Sequence, residues 1–270
     1  MVNLVRCEFW KLKRRPFLFF FLLLAVFFPA AMTPFSMYYP RLQDLGPADL
    51  YDSCWQSSIC YSSTFVLPCL LGIITAILFF SERDNDTYKN LRVIPVGITK
   101  LILAKFAVML LFSVVFCLLS TLFNFAFALL VPARFAITEP LYDIAVSLLS
   151  GVVVTLGTMP LILLVLYFGS NFTFSIIITI FYSVINMYLL SFVDKLPTLF
   201  LQWVPNMVIT LWFSDTVSAH MKINGQHTMD ALKAGGAILS TGQMFVHLAI
   251  LGLVFGALII TLYKKREGRN

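Results

Sequence analysis

The chain has 270 residues, 60% of them hydrophobic and 12% charged, whereas a water-soluble domain carries about a quarter charged residues. With 27 Phe and a mean hydropathy of +0.90, its apolar surface exceeds what one core can hide, which excludes a soluble globular domain, a disordered chain and a fibrous protein. The formal net charge is +6, and its placement along the chain follows membrane sidedness, so no nucleic-acid partner is expected.

Residues 1–16 form the first unit. Val2, Val5, Phe9 and Leu12 recur at spacings of 3, 4 and 3, one face of a helix, with Arg6, Lys11, Lys13, Arg14 and Arg15 around it. Such a helix lies in the membrane interface, its apolar stripe among headgroups and its basic residues against anionic lipid, before Pro16 turns the chain into the bilayer. Ordinary basic flanking of a first span accounts for the same pattern.

Six apolar runs follow, at 17–38, 64–80, 101–131, 141–168, 172–193 and 244–263. They are apolar all round, unlike the alternating segments of roughly 10 residues in a membrane barrel, so each reads as a transmembrane helix. The expected fold is an all-α polytopic membrane protein with six transmembrane helices and an N-terminal interfacial helix. The second run is the shortest, and Lys105, near the start of the long third run, is expected at the membrane interface. The first run, after a basic stretch, also has the form of an export signal, but Phe28-Pro29-Ala30-Ala31 offers no clean small-x-small cleavage site.

With both termini cytoplasmic, the inner segments hold 14 Lys and Arg and 5 acidic residues, a net of +9, and the outer ones 5 and 8, a net of −3. This is the positive-inside distribution. It makes residues 17–193 a block of five spans, 194–243 an extracytoplasmic segment, and 244–270 the last span with a basic cytoplasmic tail.

Between spans two and three lies a cytoplasmic segment of mixed charge, 82–100. Asn85 or Asp86 can cap a short helix there whose Tyr88 and Leu91 share a face, and Pro95-Val96-Gly97 ends it. A solvated loop accounts for the pattern, which is also what a docking surface for a soluble partner would look like. The pattern Glu82-Arg83, Thr87, Lys89, Leu91 and Pro95, after an amphipathic helix and two spans and before a long third one, resembles ABC-2 type transporter permeases. Many of these read Asn-Gly-Thr where this chain has Asn85-Asp86-Thr87. Asp tolerates the turn geometry that Gly supplies more easily.

The resemblance implies that residues 1–16 are a connecting helix and that the loop is a coupling helix docked in an ATPase subunit. Glu82, Arg83, Asp86, Thr87, Tyr88, Lys89, Leu91, Arg92 and Pro95 would then form the coupling surface. It implies as partners an ABC ATPase subunit, which would hold ATP and Mg, and a second permease, the same chain or a related one. Chain length and Phe-rich spans are most similar to lantibiotic-immunity and bacitracin-resistance exporters. The expected function is therefore ATP-driven export of a lantibiotic or similar amphipathic peptide out of the membrane. A lipid, glycan or drug exporter is the alternative within transport, and a membrane sensor, anchor or enzyme the alternative outside it.

In the outer segment, 199–213 is apolar with Trp203, Pro205 and Trp212, too short to span comfortably, and is expected to be re-entrant or interfacial. From residue 214 to 242 the chain is polar, with a turn signal at Asn224-Gly225. It either touches a peptide substrate or caps the fold. Cys54 and Cys60, in the first outer loop, are the one pair placed to oxidise or else two free small hydrophobes.

Several chemistries lack their parts. No G-x-x-x-x-G-K-[ST] phosphate loop occurs, so no cofactor is expected on this chain. Neither H-E-x-x-H nor G-x-S-x-G is present, and the spans carry no Asp or Glu away from their ends to relay protons. Asn124, Asn171 and Asn186 are expected to hydrogen-bond between helices. His220 and His227, seven apart, lack the spacing of a metal pair and are expected in solvent, with no metal assigned; His247 reads as an interface residue. No substrate-binding residue is assignable. The purified chain alone should bind no ATP in equilibrium dialysis at micromolar nucleotide. A single Cys at Asn270 should label only after the inner side is opened, and one at Asn224 in intact cells.

Overall fold

The structure, a computed structural model, describes residues 2–13, 17–39, 45–84, 97–168, 172–221 and 232–267. Every regular element among them is helical: α1 (Val2–Lys13), α2 (Phe17–Leu23), α3 (Phe27–Tyr38), α4 (Pro47–Tyr61), α5 (Leu67–Asp84), α6 (Ile98–Leu130), α7 (Pro140–Gly157), α8 (Met159–Phe168), α9 (Phe172–Ser191), α10 (Thr198–Trp203), α11 (Pro205–Met221) and α12 (Thr241–Glu267). Six stretches are long and apolar enough to cross a membrane: Phe19–Ser36, Pro47–Phe80, Ile98–Leu130, Pro140–Phe168, Phe172–Ser191 and Thr241–Lys265. The chain is thus an all-α multi-pass membrane protein.

Proline sets the local form of three spans. In span 1, α2 and α3 are joined by a 3-10 turn, Leu24–Val26. The ring of Pro29 would press on the carbonyl of Ala25, four residues back, and the tighter turn moves that carbonyl away. In span 2 a π-turn, Ser62–Val66, precedes Pro68, and in span 4 the helix turns at Thr158 before Pro160.

The second span is the longest and not, as its composition suggests, the shortest. Pro47 occupies the first turn of α4, where its missing N–H costs nothing, and the helix runs from there through Phe80, 34 residues or about 50 Å. The segment expected as a loop holding Cys54 and Cys60 is therefore helical. Both cysteines are free, because six residues along one helix put their Cα atoms about 9 Å apart, beyond the reach of a disulfide.

Spans 2, 3 and 4 form the centre. Their buried faces supply much of one continuous core, including Trp55, Leu71, Ile74, Val108, Phe116, Val153, Leu161 and Ile162. Lipid tails are as apolar as these side chains, so close approach of backbones must hold α6 to α7. A Cβ added to Gly151 would stand 2.6 Å from Val114 Cα, and Ser113 Oγ donates to the Gly151 carbonyl at 2.7 Å. Thr121 and Ser147 join their hydroxyls across the same seam.

Hydroxyls thus link α6 to α7, whereas Asn124 and Asn186 donate to the carbonyls of Ser120 and Tyr182 on their own helices, each at 2.9 Å. A short amide can bond the carbonyl four residues back on its own helix, as these two do; Asn171 lies outside the described residues. Gly151→Leu should force α6 and α7 apart and lower the detergent melting temperature by several degrees, read by thermal-shift fluorescence, with Gly151→Ala intermediate.

Candidate functional site

The first helix does not bury the stripe its apolar spacing suggests. Leu12 and Glu8 are buried and Val5 is half-buried against the core, while Val2, Phe9 and Trp10 are exposed. Positions 5, 8 and 12 share a helical face as well as 2, 5, 9 and 12 do, and the choice falls on the face with an acid because a buried cation waits beneath it.

That cation is Lys105. Expected at the membrane interface, it is 0% exposed. Its Nζ lies 3.2 Å from Glu8 Oε2 and donates to the Leu78 carbonyl at 2.6 Å. It also sits 5.1 Å from the Phe79 ring centroid, a favourable place for a cation over an aromatic face. Glu8 Oε1 takes Lys11 Nζ at 2.5 Å. Phe79 in turn meets Tyr263 of α12 edge-on, centroids 5.6 Å apart. One ammonium thus joins the interfacial helix, the end of span 2 and the start of span 3, with the last span against the same residues. Both terminal helices meet the bundle at this end.

The junction brackets the segment where the coupling residues were expected. Leu78 is six residues before the end of α5, and Lys105 seven after the start of α6, each about 10 Å along its helix. Glu82 and Arg83 fall on the last turn of α5. Their side chains, and Asp86, Thr87, Tyr88, Lys89, Leu91, Arg92 and Pro95, lie outside the described residues.

At the opposite end, polar groups tie α4 to α6 and α7. Tyr51 Oη donates to Asp143 Oδ2 at 3.0 Å, Trp55 Nε1 to Thr121 Oγ1 at 3.1 Å, and Ser147 Oγ to the Asp143 carbonyl at 2.6 Å. Asp52 and Asp143 are both buried. Extension of the second helix back to Pro47 thus puts Asp52, read as a loop residue, inside a spanning helix.

His220 is not simply in solvent: its Nε2 is 2.7 Å from Glu139 Oε2 and its ring stacks on Tyr142 at 3.8 Å. His227 lies outside the described residues. His247 meets Trp203 edge-on at 6.2 Å. Among the described residues no three His, Cys, Asp or Glu come together as a metal site. The apolar piece expected as re-entrant is helical and breaks at Val204 before Pro205. Its second part, α11, continues past residue 213 to Met221 with residues 205–214 buried.

The family model for ABC-2 family transporter proteins matches residues 4–186, from the interfacial helix through most of the fifth span. The chain belongs to that family. No curated protein matches it. As an ABC-2 permease it is the membrane subunit of an ABC transporter and works with an ABC ATPase subunit. The permease's Glu8–Lys105 junction escaped sequence reasoning, although a lone Lys in an apolar run and a lone Glu on the Val5–Leu12 face were its signals.

Taking one member of a buried ion pair away strands the other, at about 3–5 kcal/mol. Lys105→Met should therefore lose folded permease, measured by size-exclusion yield and melting temperature. Glu8→Leu together with Lys105→Met should recover most of it.

Proposed function

We propose that the chain is the permease of an exporter that moves a lantibiotic or similar amphipathic peptide from the membrane to the outside, in an immunity or resistance role. The observation that supports this reading is the open aromatic surface of the outlying spans. Phe19, Phe20, Phe27 and Phe35 of span 1, and Phe174, Phe181 and Tyr188 of span 5, are exposed. The inward row of span 5 is Ser175, Thr179, Ser183 and Asn186. An amphipathic cargo suits an aromatic wall of this kind at the lipid boundary, and the polar row behind it is packed against span 2. A second permease, the same chain or a related one, would cover part of that wall.

In this reading residues 1–16 are the connecting helix and the 82–100 segment docks in the ATPase. Tyr88 and Leu91 are the anchors, Glu82, Thr87, Lys89 and Pro95 shape the segment, and Arg83, Asp86 and Arg92 form its rim. ATP and Mg are bound by the partner, and both termini face the cytoplasm of a bacterial cell. The outward-facing 194–243 segment caps the fold.

Buried anchors dominate such interfaces and exposed charges add little. Tyr88→Ala with Leu91→Ala should weaken co-purification of the ATPase by roughly 30-fold or more, while Arg83→Ala changes it less than about fivefold. The double variant, co-expressed with the ATPase in a susceptible bacterium, should lose protection against nisin or bacitracin while membrane levels stay normal. If the wild-type pair protects against neither peptide, the peptide-export reading fails. If the double variant protects as well as wild type, the coupling assignment fails.

A further inference from the structure

Spans 2 and 4 are each broken at a proline, and one buried helix lies against both breaks. In span 2, Pro68 has no N–H for the carbonyl of Thr64, four residues back. The helix widens there into the π-turn Ser62–Val66, closed by the Leu67 N–H donating to the Ser62 carbonyl. A backbone carbonyl without a donor is costly inside a bilayer, and this one is met from outside its own helix. Asn206 Nδ2 of α11 donates to it at 3.3 Å, and the Thr64 hydroxyl pairs with Thr210 Oγ1 at 2.9 Å.

Asn206 also faces the second break, beside Ile209. Pro160 has no N–H for the carbonyl of Leu156, and α7 ends at Gly157 with the turn at Thr158. A Cβ on Gly157 would overlap Ile209 Cδ1, and Asn206 Oδ1 stands 3.8 Å from that position. Asn206, Thr210, Ser214 and Ser218, four residues apart, make a buried polar row. Its far end takes the Gln56 amide of α4, at 3.2 Å on the Ser214 carbonyl and 2.9 Å on Ser218 Oγ.

We propose that Asn206 and Thr210 are positioning residues of the transport cycle: by holding the π-turn of span 2 beside the proline turn of span 4, they set the register of α5. A π-turn carries one surplus residue that can shift along the helix, and π-turns recur at functional sites. Each residue it passes rotates by about 100°. Below the turn α5 runs from Leu67 to Asp84, about 27 Å. A change of register at Thr64 therefore reaches the segment between α5 and α6, and the inference rests on the coupling role proposed for that segment.

The test uses the permease with its ATPase subunit in lipid nanodiscs, comparing hydrogen exchange of peptides covering residues 62–67 without nucleotide and trapped with ATP and vanadate. In the wild type, trapping should change exchange there by about tenfold, one hydrogen bond's worth. Asn206→Ala and Thr210→Val should erase the difference, and Thr210→Ser, which keeps the hydroxyl, should retain it. A merely structural contact would leave exchange at 62–67 independent of nucleotide. Equal exchange in the two wild-type states overturns the proposal even if a variant fails to assemble, as does an unchanged nucleotide difference in Thr210→Val.

Discussion

An ammonium taken out of water needs compensation from every side, and at the end of the bundle where both termini lie this need organises four helices. Lys105 is enclosed by Glu8, the Leu78 carbonyl and the face of Phe79. A leucine at position 105 would pack in the same space at less cost in desolvation, so the pair is weak evidence for stability. What an ion pair supplies is geometry. It fixes which face of the interfacial helix lies inward and the rotation of α1 about its axis. It also sets the spacing between the end of span 2 and the start of span 3. Those two ends bracket the segment proposed to couple to the ATPase, so the pair fixes the frame on which that segment is mounted.

The membrane imposes a second constraint away from that junction. Proline in a spanning helix frees a carbonyl, and only protein can satisfy it. Span 1 meets the demand locally with a 3-10 turn, whereas span 2 calls on Asn206 of the buried helix α11. The contrast explains why α11 is polar along one row and apolar elsewhere. Asn206 and Thr210 serve the carbonyl and hydroxyl of Thr64, and Ser214 and Ser218 take the Gln56 amide, while Val208, Ile209, Trp212 and Phe213 join the main core. A segment that enters without crossing is thereby as deeply packed as the central spans.

Function follows from how these parts are distributed. The central spans are tied by hydroxyl contacts and a close glycine approach at Gly151, and spans 1, 5 and 6 keep most of their surface open. A packed centre with open flanks suits a membrane subunit that takes its energy from a separate ATPase.

Composition alone determined the class. Sixty per cent hydrophobic residues admit no soluble core, and six long apolar runs admit only helices, because lipid leaves a backbone no other way to pair its polar groups. The loop pattern from Glu82 to Pro95 was enough for the family. Tertiary structure decided what depends on neighbours distant in sequence. Apolar spacing pointed to the Val2, Val5, Phe9 and Leu12 face of the first helix, and Lys105, 97 positions from Glu8, turned the Val5, Glu8 and Leu12 face inward instead. Hydropathy ended the second span at Thr64 because Asp49, Asp52 and Gln56 lower the local average. The folded chain continues the helix to Pro47 because Asp143 accepts from Tyr51, and Ser214 and Ser218 accept from Gln56. A polar residue in an apolar run carries no mark of where its partner lies. Local pattern therefore settles which segments are buried in the membrane, and only the assembled bundle settles which polar groups meet inside it.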